Sequence, residues 1–166
     1  MNKLRLILGD QLNINHSWFK ENNSKITYVM MEVKEETSYV LHHAQKIIAT
    51  FAAMRFFAEQ LQQKGFEVIY FKINDKQNKQ SFYQNINKTI KEKNIGELQY
   101  LEPDEYRLST ELKKLESIEN IKVESVDTEH FLVPKLYAKD FFSEKKHWRM
   151  EEFYRNMRKK FSILME

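Results

Sequence analysis

The sequence predicts an α/β fold: a doubly wound sheet of five mostly parallel strands with helices on both faces. Short apolar runs alternate with longer stretches of helical periodicity, and turn residues separate them. The helical spacers are long enough for crossover connections between parallel strands. With 166 residues, of which 42% are hydrophobic, the chain can form one domain with a sizeable core.

Five short apolar runs are predicted to be strands. They are residues 4–8, 26–33, 66–71, 98–101 and 121–126. The first run ends at Gly9, the second is rich in β-branched residues, and Glu102-Pro103 stops the fourth.

Four stretches are predicted to be helices: residues 38–64, 80–93, 105–115 and 147–160. The first has apolar residues at every third or fourth position, and Gly65 follows where a helix C′ glycine belongs. Asn94 and Gly96 are predicted to end the second helix. Residues 127–146, which include Pro134, are predicted to be irregular, and the apolar run 161–166 indicates a docking surface or the start of a missing part.

The composition excludes several kinds of site. With no cysteine, the chain can form no disulfide, Cys-ligated zinc site, iron–sulfur cluster or thiol nucleophile. With three glycines and neither G-x-x-x-x-G-K-[ST] nor G-x-G-x-x-G, it cannot form a glycine-rich phosphate loop. H-E-x-x-H and G-x-S-x-G are also absent, so we predict neither catalytic residues nor a metal site.

The net charge and the distribution of apolar residues argue against nucleic-acid binding, secretion and membrane insertion. A net charge of +3 is too small to favour nucleic-acid binding on electrostatic grounds. The N-terminal apolar run stops at Gly9-Asp10, too early for a signal peptide, and no run of about 18 apolar residues is present. A cytoplasmic protein without membrane contact is therefore expected.

The first candidate site follows the first strand, because ligands of open α/β sheets bind beyond the carboxyl ends of the strands. Gly9 would allow close approach of a ligand, and the polar groups of Asp10 and Gln11 suit the edge of a planar heterocycle. In the alternative interpretation, Gly9 and Asp10 only form a turn and cap the next segment.

A second group of polar residues follows the second strand. Glu32, Glu35 and Glu36 could serve acid–base chemistry or a hard metal, or could simply interact with solvent and the next helix dipole. On the predicted helix 38–64, Lys46 and Thr50 are one turn apart and could face a crevice.

The predicted C-terminal helix, residues 147–160, mixes basic and aromatic side chains. Such a helix can bind nucleic acid, although packing of the aromatic residues on the domain with the charges in solvent explains the same pattern. Docking of a separate protein by residues 147–166 is a further hypothesis.

Sequence motifs in the same order along nearly the whole chain match a known family. The first is Leu6-Ile7-Leu8-Gly9-Asp10-Gln11-Leu12. The others are Glu32-Val33 with Glu36 and Tyr39-Val40, His42-His43 with Lys46-Ile47, residues 53–58, Glu102-Pro103 with Glu105 and Arg107, Phe131-Leu132, residues 150–158, and Ile163-Leu164-Met165. The chain resembles the N-terminal domain of photolyase-related proteins, in the iron–sulfur branch of bacterial cryptochromes and (6-4) photolyases.

The resemblance implies a Rossmann-like antenna domain over residues 1–130 that binds 6,7-dimethyl-8-ribityllumazine, a pigment without phosphate. Its binding residues would be Gly9, Asp10, Gln11, Leu12, Glu32, Glu36, Lys46 and Thr50. Among them, Glu36 would accept hydrogen bonds, and Glu32, Lys46 and Thr50 would line the crevice.

The resemblance also implies a missing part. Residues 131–166 would be an irregular linker and basic helix leading toward a helical C-terminal domain, supplied in cis or in trans. That domain would hold FAD and the iron–sulfur cluster and would contact damaged DNA. Asp104, Tyr106 and Ser162 depart from the residues expected of the family. The alternative function is a stand-alone small-molecule or nucleotide-binding enzyme that uses Asp10, Glu32 and Glu36.

Overall fold

A computed structural model of the chain describes residues 1–134, 136–144 and 147–165. The chain divides into two compact units, Met1–Val126 and Asp127–Glu166. The division falls at the end of the last strand. The boundary between an antenna domain (1–130) and a linker with a basic helix (131–166) stays a prediction.

The first unit is built on a five-stranded sheet in which every pair of neighbouring strands is parallel. The strands are β1 (Asn2–Leu6), β2 (Ile26–Met31), β3 (Glu67–Phe71), β4 (Ile95–Leu101) and β5 (Lys122–Val126). Their order is β3-β2-β1-β4-β5, so the chain winds outward in one direction from β1 and then in the other. This confirms the predicted doubly wound, Rossmann-like sheet and leaves a crevice beyond the carboxyl ends of the central strands.

Helices cover both faces of the sheet, as predicted. The helices of this unit are α1 (Lys34–Ser38), α2 (Ala44–Gln63), α3 (Phe82–Lys93) and α4 (Tyr106–Lys113), with 3-10 turns at Ser17–Phe19 and Lys114–Ser117. Side chains of α2 pack with Trp18 in the core of one face, and side chains of α3 and α4 fill the core of the other. Burial of these apolar surfaces is the main force that holds the layers together.

The start predicted for the helix over residues 38–64 is wrong. The helix α1 ends at Ser38, and residues 39–43 are not helical. The helix α2 begins only after His43, whose Nδ1 accepts a hydrogen bond from the Gln45 N–H (3.2 Å). Its end is as predicted, because Gly65 follows with a φ of +85°. Asn94 ends α3 in the left-handed region, but Gly96 lies inside β4 rather than at a helix end.

The second unit contains α5 (Tyr137–Phe142) and α6 (Met150–Phe161). The prediction that residues 127–146 are irregular is therefore wrong for α5, where buried Phe142 stacks on Trp148 and Phe153. The basic helix predicted from residue 147 begins at Met150. Of the apolar run 161–166, residues 161–165 are exposed and Glu166 lies outside the described residues, as do positions 135, 145 and 146 of the segment predicted to be irregular.

Across the described part of the chain, no helix combines the length and the apolar character that crossing a membrane requires.

Candidate functional site

A cavity of about 270 Å³ lies beyond the carboxyl ends of β1 and β2 in the first unit. Its apolar lining residues are Leu8, Met31, Val33, Ile47, Phe51, Met54, Phe82 and Leu108. Its polar lining residues are Asp10, Glu36, Thr37, Tyr39, His42, Lys46, Thr50 and Glu105, together with Gly9. The cavity therefore offers apolar walls and several carboxylates at the place that the strand order favours for a ligand.

Gly9 and Asp10 form the turn after β1, and both line the cavity. A Cβ atom on Gly9 would lie 3.0 Å from the Met54 sulfur and 3.2 Å from Cγ2 of Thr50. The absence of a side chain at Gly9 thus lets α2 pack closely against the end of β1. The close packing of α2 is thus one reason for a glycine at position 9. The close approach of a ligand, which the sequence suggested, would be a second reason.

The two residues that follow serve the fold rather than the cavity lining. Gln11 is 2% exposed, and its side-chain oxygen accepts a hydrogen bond from the Leu8 N–H (3.1 Å). Its amide nitrogen donates to the Leu101 carbonyl oxygen (3.2 Å), so Gln11 connects the turn after β1 with the end of β4. Leu12 packs against the core on the α2 face of the sheet.

Glu32 is fully buried and lies outside the cavity lining. Its carboxylate accepts two hydrogen bonds from Arg55 (2.6 and 2.8 Å), one from the Tyr70 hydroxyl (2.7 Å) and one from the Ile73 N–H (2.8 Å). Burial alone would raise the pKa of the Glu32 carboxyl, but the bonds from Arg55, Ile73 and Tyr70 together bring it below its usual value. Burial raises the pKa of the Tyr70 hydroxyl, and so do its hydrogen bond to Glu32 and the negative charge of that carboxylate. Tyr70 therefore stays a neutral hydrogen-bond donor. Of the three carboxylates named for the alternative function, Asp10 and Glu36 line the cavity and Glu32 does not.

Glu36 is the centre of a second charged cluster, and it does line the cavity. The Arg107 guanidinium donates to both of its oxygens (3.1 and 3.0 Å) and to both oxygens of Glu105 (2.8 and 3.2 Å). The same guanidinium lies over the Tyr39 ring, 3.9 Å from its centroid. The Tyr39 and His42 rings in turn form a T-shaped contact, with 5.0 Å between their centroids.

The structure thus brings together Gly9, Asp10, Glu36, Lys46 and Thr50 of the residues predicted from sequence. Sequence reasoning missed the parts played by Tyr39, Glu105 and Arg107, although all three lie in motifs quoted above. Within residues 1–134, 136–144 and 147–165, no three His, Asp or Glu side chains are placed to hold a metal ion.

Comparison with known proteins identifies the family. The family model for deoxyribodipyrimidine photo-lyase-related proteins matches residues 5–166. The chain belongs to this family. A (6-4) photolyase of Agrobacterium fabrum is 36% identical over an alignment of 166 residues, which covers 99% of this chain and 33% of that protein. The photolyase-related chain described here therefore spans about a third of the length of this relative.

In this photolyase-related chain, the apolar side chains and the carboxylates of the cavity lining are of the kinds that can contact a planar ring. The apolar side chains of Leu8, Met31 and Phe51 can contact an apolar ring surface. The carboxylates of Asp10 and Glu36 can accept hydrogen bonds from its N–H or O–H groups.

Proposed function

We propose that this photolyase-related chain is a chromophore-binding antenna domain that holds 6,7-dimethyl-8-ribityllumazine in the cavity beyond β1 and β2. The observation that carries the proposal is the juxtaposition of apolar walls with Asp10 and Glu36 in that cavity. The apolar walls would contact the ring system. The carboxylates would accept hydrogen bonds from the ring imide and the ribityl hydroxyls.

The size of the cavity supports a small ligand. Its volume of about 270 Å³ is close to the lower end of the range for small-molecule sites, which is roughly 300 Å³. A compact two-ring pigment suits this volume better than a dinucleotide does.

The charges of the cavity support a ligand without phosphate. Asp10, Glu36 and Glu105 would repel a phosphate group. Lys46 contributes a positive charge to the lining, but the guanidinium of Arg107 is already bound by two carboxylates. Together with the lack of a glycine-rich loop, this favours a neutral ligand.

The chain would not catalyse a reaction by itself. The pigment would absorb light and transfer excitation to FAD in a helical domain, in cis or in trans, which would carry the iron–sulfur cluster and contact damaged DNA. The assembly would be cytoplasmic. The length of the photolyase relative, of which this chain spans 33%, supports such a further domain.

Titration of the purified chain with the lumazine, followed by its absorbance and fluorescence, tests the proposal. We expect one pigment per chain, and we expect the double variant Asp10→Ala, Glu36→Ala to weaken binding at least about tenfold because both acceptors are lost. The matched control, Glu111→Ala with Glu151→Ala, removes two carboxylates that pair with Lys114 and Arg155 outside the cavity lining. It should bind the pigment like the unsubstituted chain.

Riboflavin 5′-phosphate provides a second arm of the same titration. We expect this ligand to bind at least about tenfold more weakly than riboflavin, because its phosphate would meet the acidic lining. Equal affinity of the double variant and its control would contradict the assigned site. Failure of the unsubstituted chain to bind the lumazine stoichiometrically would contradict the function.

A further inference from the structure

The Arg107 cluster joins two walls of the cavity that are far apart in sequence. Arg107 lies in the first turn of α4, next to Glu105 and Leu108 of the lining. Its bonds reach Glu36 in α1, 71 residues away, and its guanidinium covers the Tyr39 ring just beyond α1.

We infer that Arg107 is a positioning residue of this cavity: it holds Glu36 and Tyr39 where they contact the bound ring and thereby slows the release of the ligand. The inference rests on the proposed function for its ligand and on the geometry of the cluster for the role of Arg107. Arg107 itself is not part of the cavity lining.

Two features of the cluster require arginine, and a third requires a positive charge. A guanidinium has a planar, fork-shaped set of donors, which lets it bond both oxygens of Glu36 while it also bonds Glu105. Its flat face can stack on Tyr39, which a lysine ammonium group cannot do in the same way. Its charge also separates two carboxylates that would otherwise repel each other beside the cavity.

Glu36 can still accept hydrogen bonds from a ligand in this arrangement. Its two bonds to Arg107 use one acceptor site on each oxygen, whereas a carboxylate has about four such sites. Its side chain is 28% exposed, so the remaining sites are accessible. Arg107 therefore fixes the orientation of Glu36 without using up its acceptor capacity.

The test compares matched substitutions in two similar ion pairs, Arg107→Gln beside the cavity and Arg55→Gln at Glu32 outside its lining. Arg55 makes the same two-bond contact with a glutamate as Arg107 does. Two properties are measured: the dissociation rate of the bound lumazine together with its absorption maximum, and the amide hydrogen exchange of residues 36–43 in the chain without ligand. Arg107→Lys and Arg55→Lys repeat both measurements with the charge retained.

We expect Arg107→Gln to speed lumazine dissociation about tenfold or more, to shift the absorption maximum, and to speed hydrogen exchange in residues 36–43. Arg107→Lys should restore only part of the slow release. Arg55→Gln should lower the stability of the fold but leave the dissociation rate, within about twofold, and the absorption maximum unchanged.

Each part of the inference can fail separately. Dissociation from Arg107→Gln at the unsubstituted rate, or equal acceleration by Arg55→Gln, would overturn the effect on the ligand. Unchanged exchange of residues 36–43 in Arg107→Gln would overturn the positioning role, whether or not a pigment binds. Lack of lumazine binding by the unsubstituted chain, with faster exchange in Arg107→Gln, would refute the proposed function and its ligand while supporting the role of Arg107 in holding this wall.

Discussion

Two arginine–glutamate pairs at the same end of the sheet have similar bond geometry but different surroundings. Arg55 bonds Glu32 at 2.6 and 2.8 Å, and Arg107 bonds Glu36 at 3.1 and 3.0 Å. The side chain of Glu32 is 0% exposed and lies outside the cavity lining, whereas that of Glu36 is 28% exposed and lines the cavity.

The difference lies in how much hydrogen-bonding capacity each carboxylate has left. Four donors within the protein bond the Glu32 carboxylate: two from Arg55, one from Tyr70 and one from Ile73. This matches the full acceptor capacity of a carboxylate, so Glu32 holds β2 and β3 together and has nothing left for a ligand. Glu36 is oriented by Arg107 but can still accept further bonds. A shared motif of arginine and glutamate thus serves the fold in one place and a candidate site in the other.

The largest expected effect comes from breaking the buried pair. Glu32→Ala should lower the free energy of unfolding by about 3 kcal/mol, because it removes a buried carboxylate and leaves the donors of Tyr70 and Ile73 without their acceptor. Urea denaturation of the variant and the unsubstituted chain measures the change. Glu36→Ala is the matched control at a half-buried site and should lower stability less; an equal loss would contradict the comparison.

The pH dependence of stability tests the structural role assigned to Glu32 in this comparison. The pKa of Glu32 lies below its usual value in the folded chain, so the unfolded chain binds a proton there more readily. The stability that Glu32 contributes is therefore complete above the unfolded value of about 4.3 and is lost as pH falls through the folded value.

We accordingly expect the stability difference between the unsubstituted chain and Glu32→Gln to be constant from about pH 6 to 8 and to shrink below about pH 4.3. Urea denaturation across this range measures it. The other carboxyls are present in both proteins and cancel. A difference that grows on acidification would show that the sign of the pKa shift is wrong.

The smallest expected effect is at the outer carboxylate of the Arg107 cluster. Glu105→Gln should change the free energy of unfolding by no more than about 0.5 kcal/mol, because the Glu105 side chain is 45% exposed and Arg107 keeps both bonds to Glu36. Thermal or urea unfolding measures the change. A loss comparable to that of Glu32→Ala would mean that the two clusters contribute to the fold in the same way.

Much of the fold could be predicted from local sequence patterns. Apolar runs and helical periods indicated all five strands and the main helices, since these patterns reflect burial of each element on the sheet. The start of α2 was missed because its cap is a histidine ring rather than one of the usual capping side chains. The helix α5 was missed because it is short and its aromatic residues pack on α6, which no local period reveals.

The site could be predicted only in part. Residues within five positions of a strand end, such as Gly9, Asp10 and Glu36, could be placed because topology brings strand ends together. The role of Glu32 could not, because its partners Arg55 and Tyr70 come from other elements, 23 and 38 residues along the chain. The same holds for Gln11, whose partner Leu101 lies 90 residues away.

The strand order has a consequence for how such a domain can diverge. The crevice arises from the reversal of winding between β1 and β4, which is a property of the backbone path. Of the described residues, the polar ones that line it belong to neither hydrophobic core. Mutations of these residues can therefore alter the ligand that the crevice prefers while the chain continues to fold, so descendants of one ancestor can acquire different ligands on an unchanged framework.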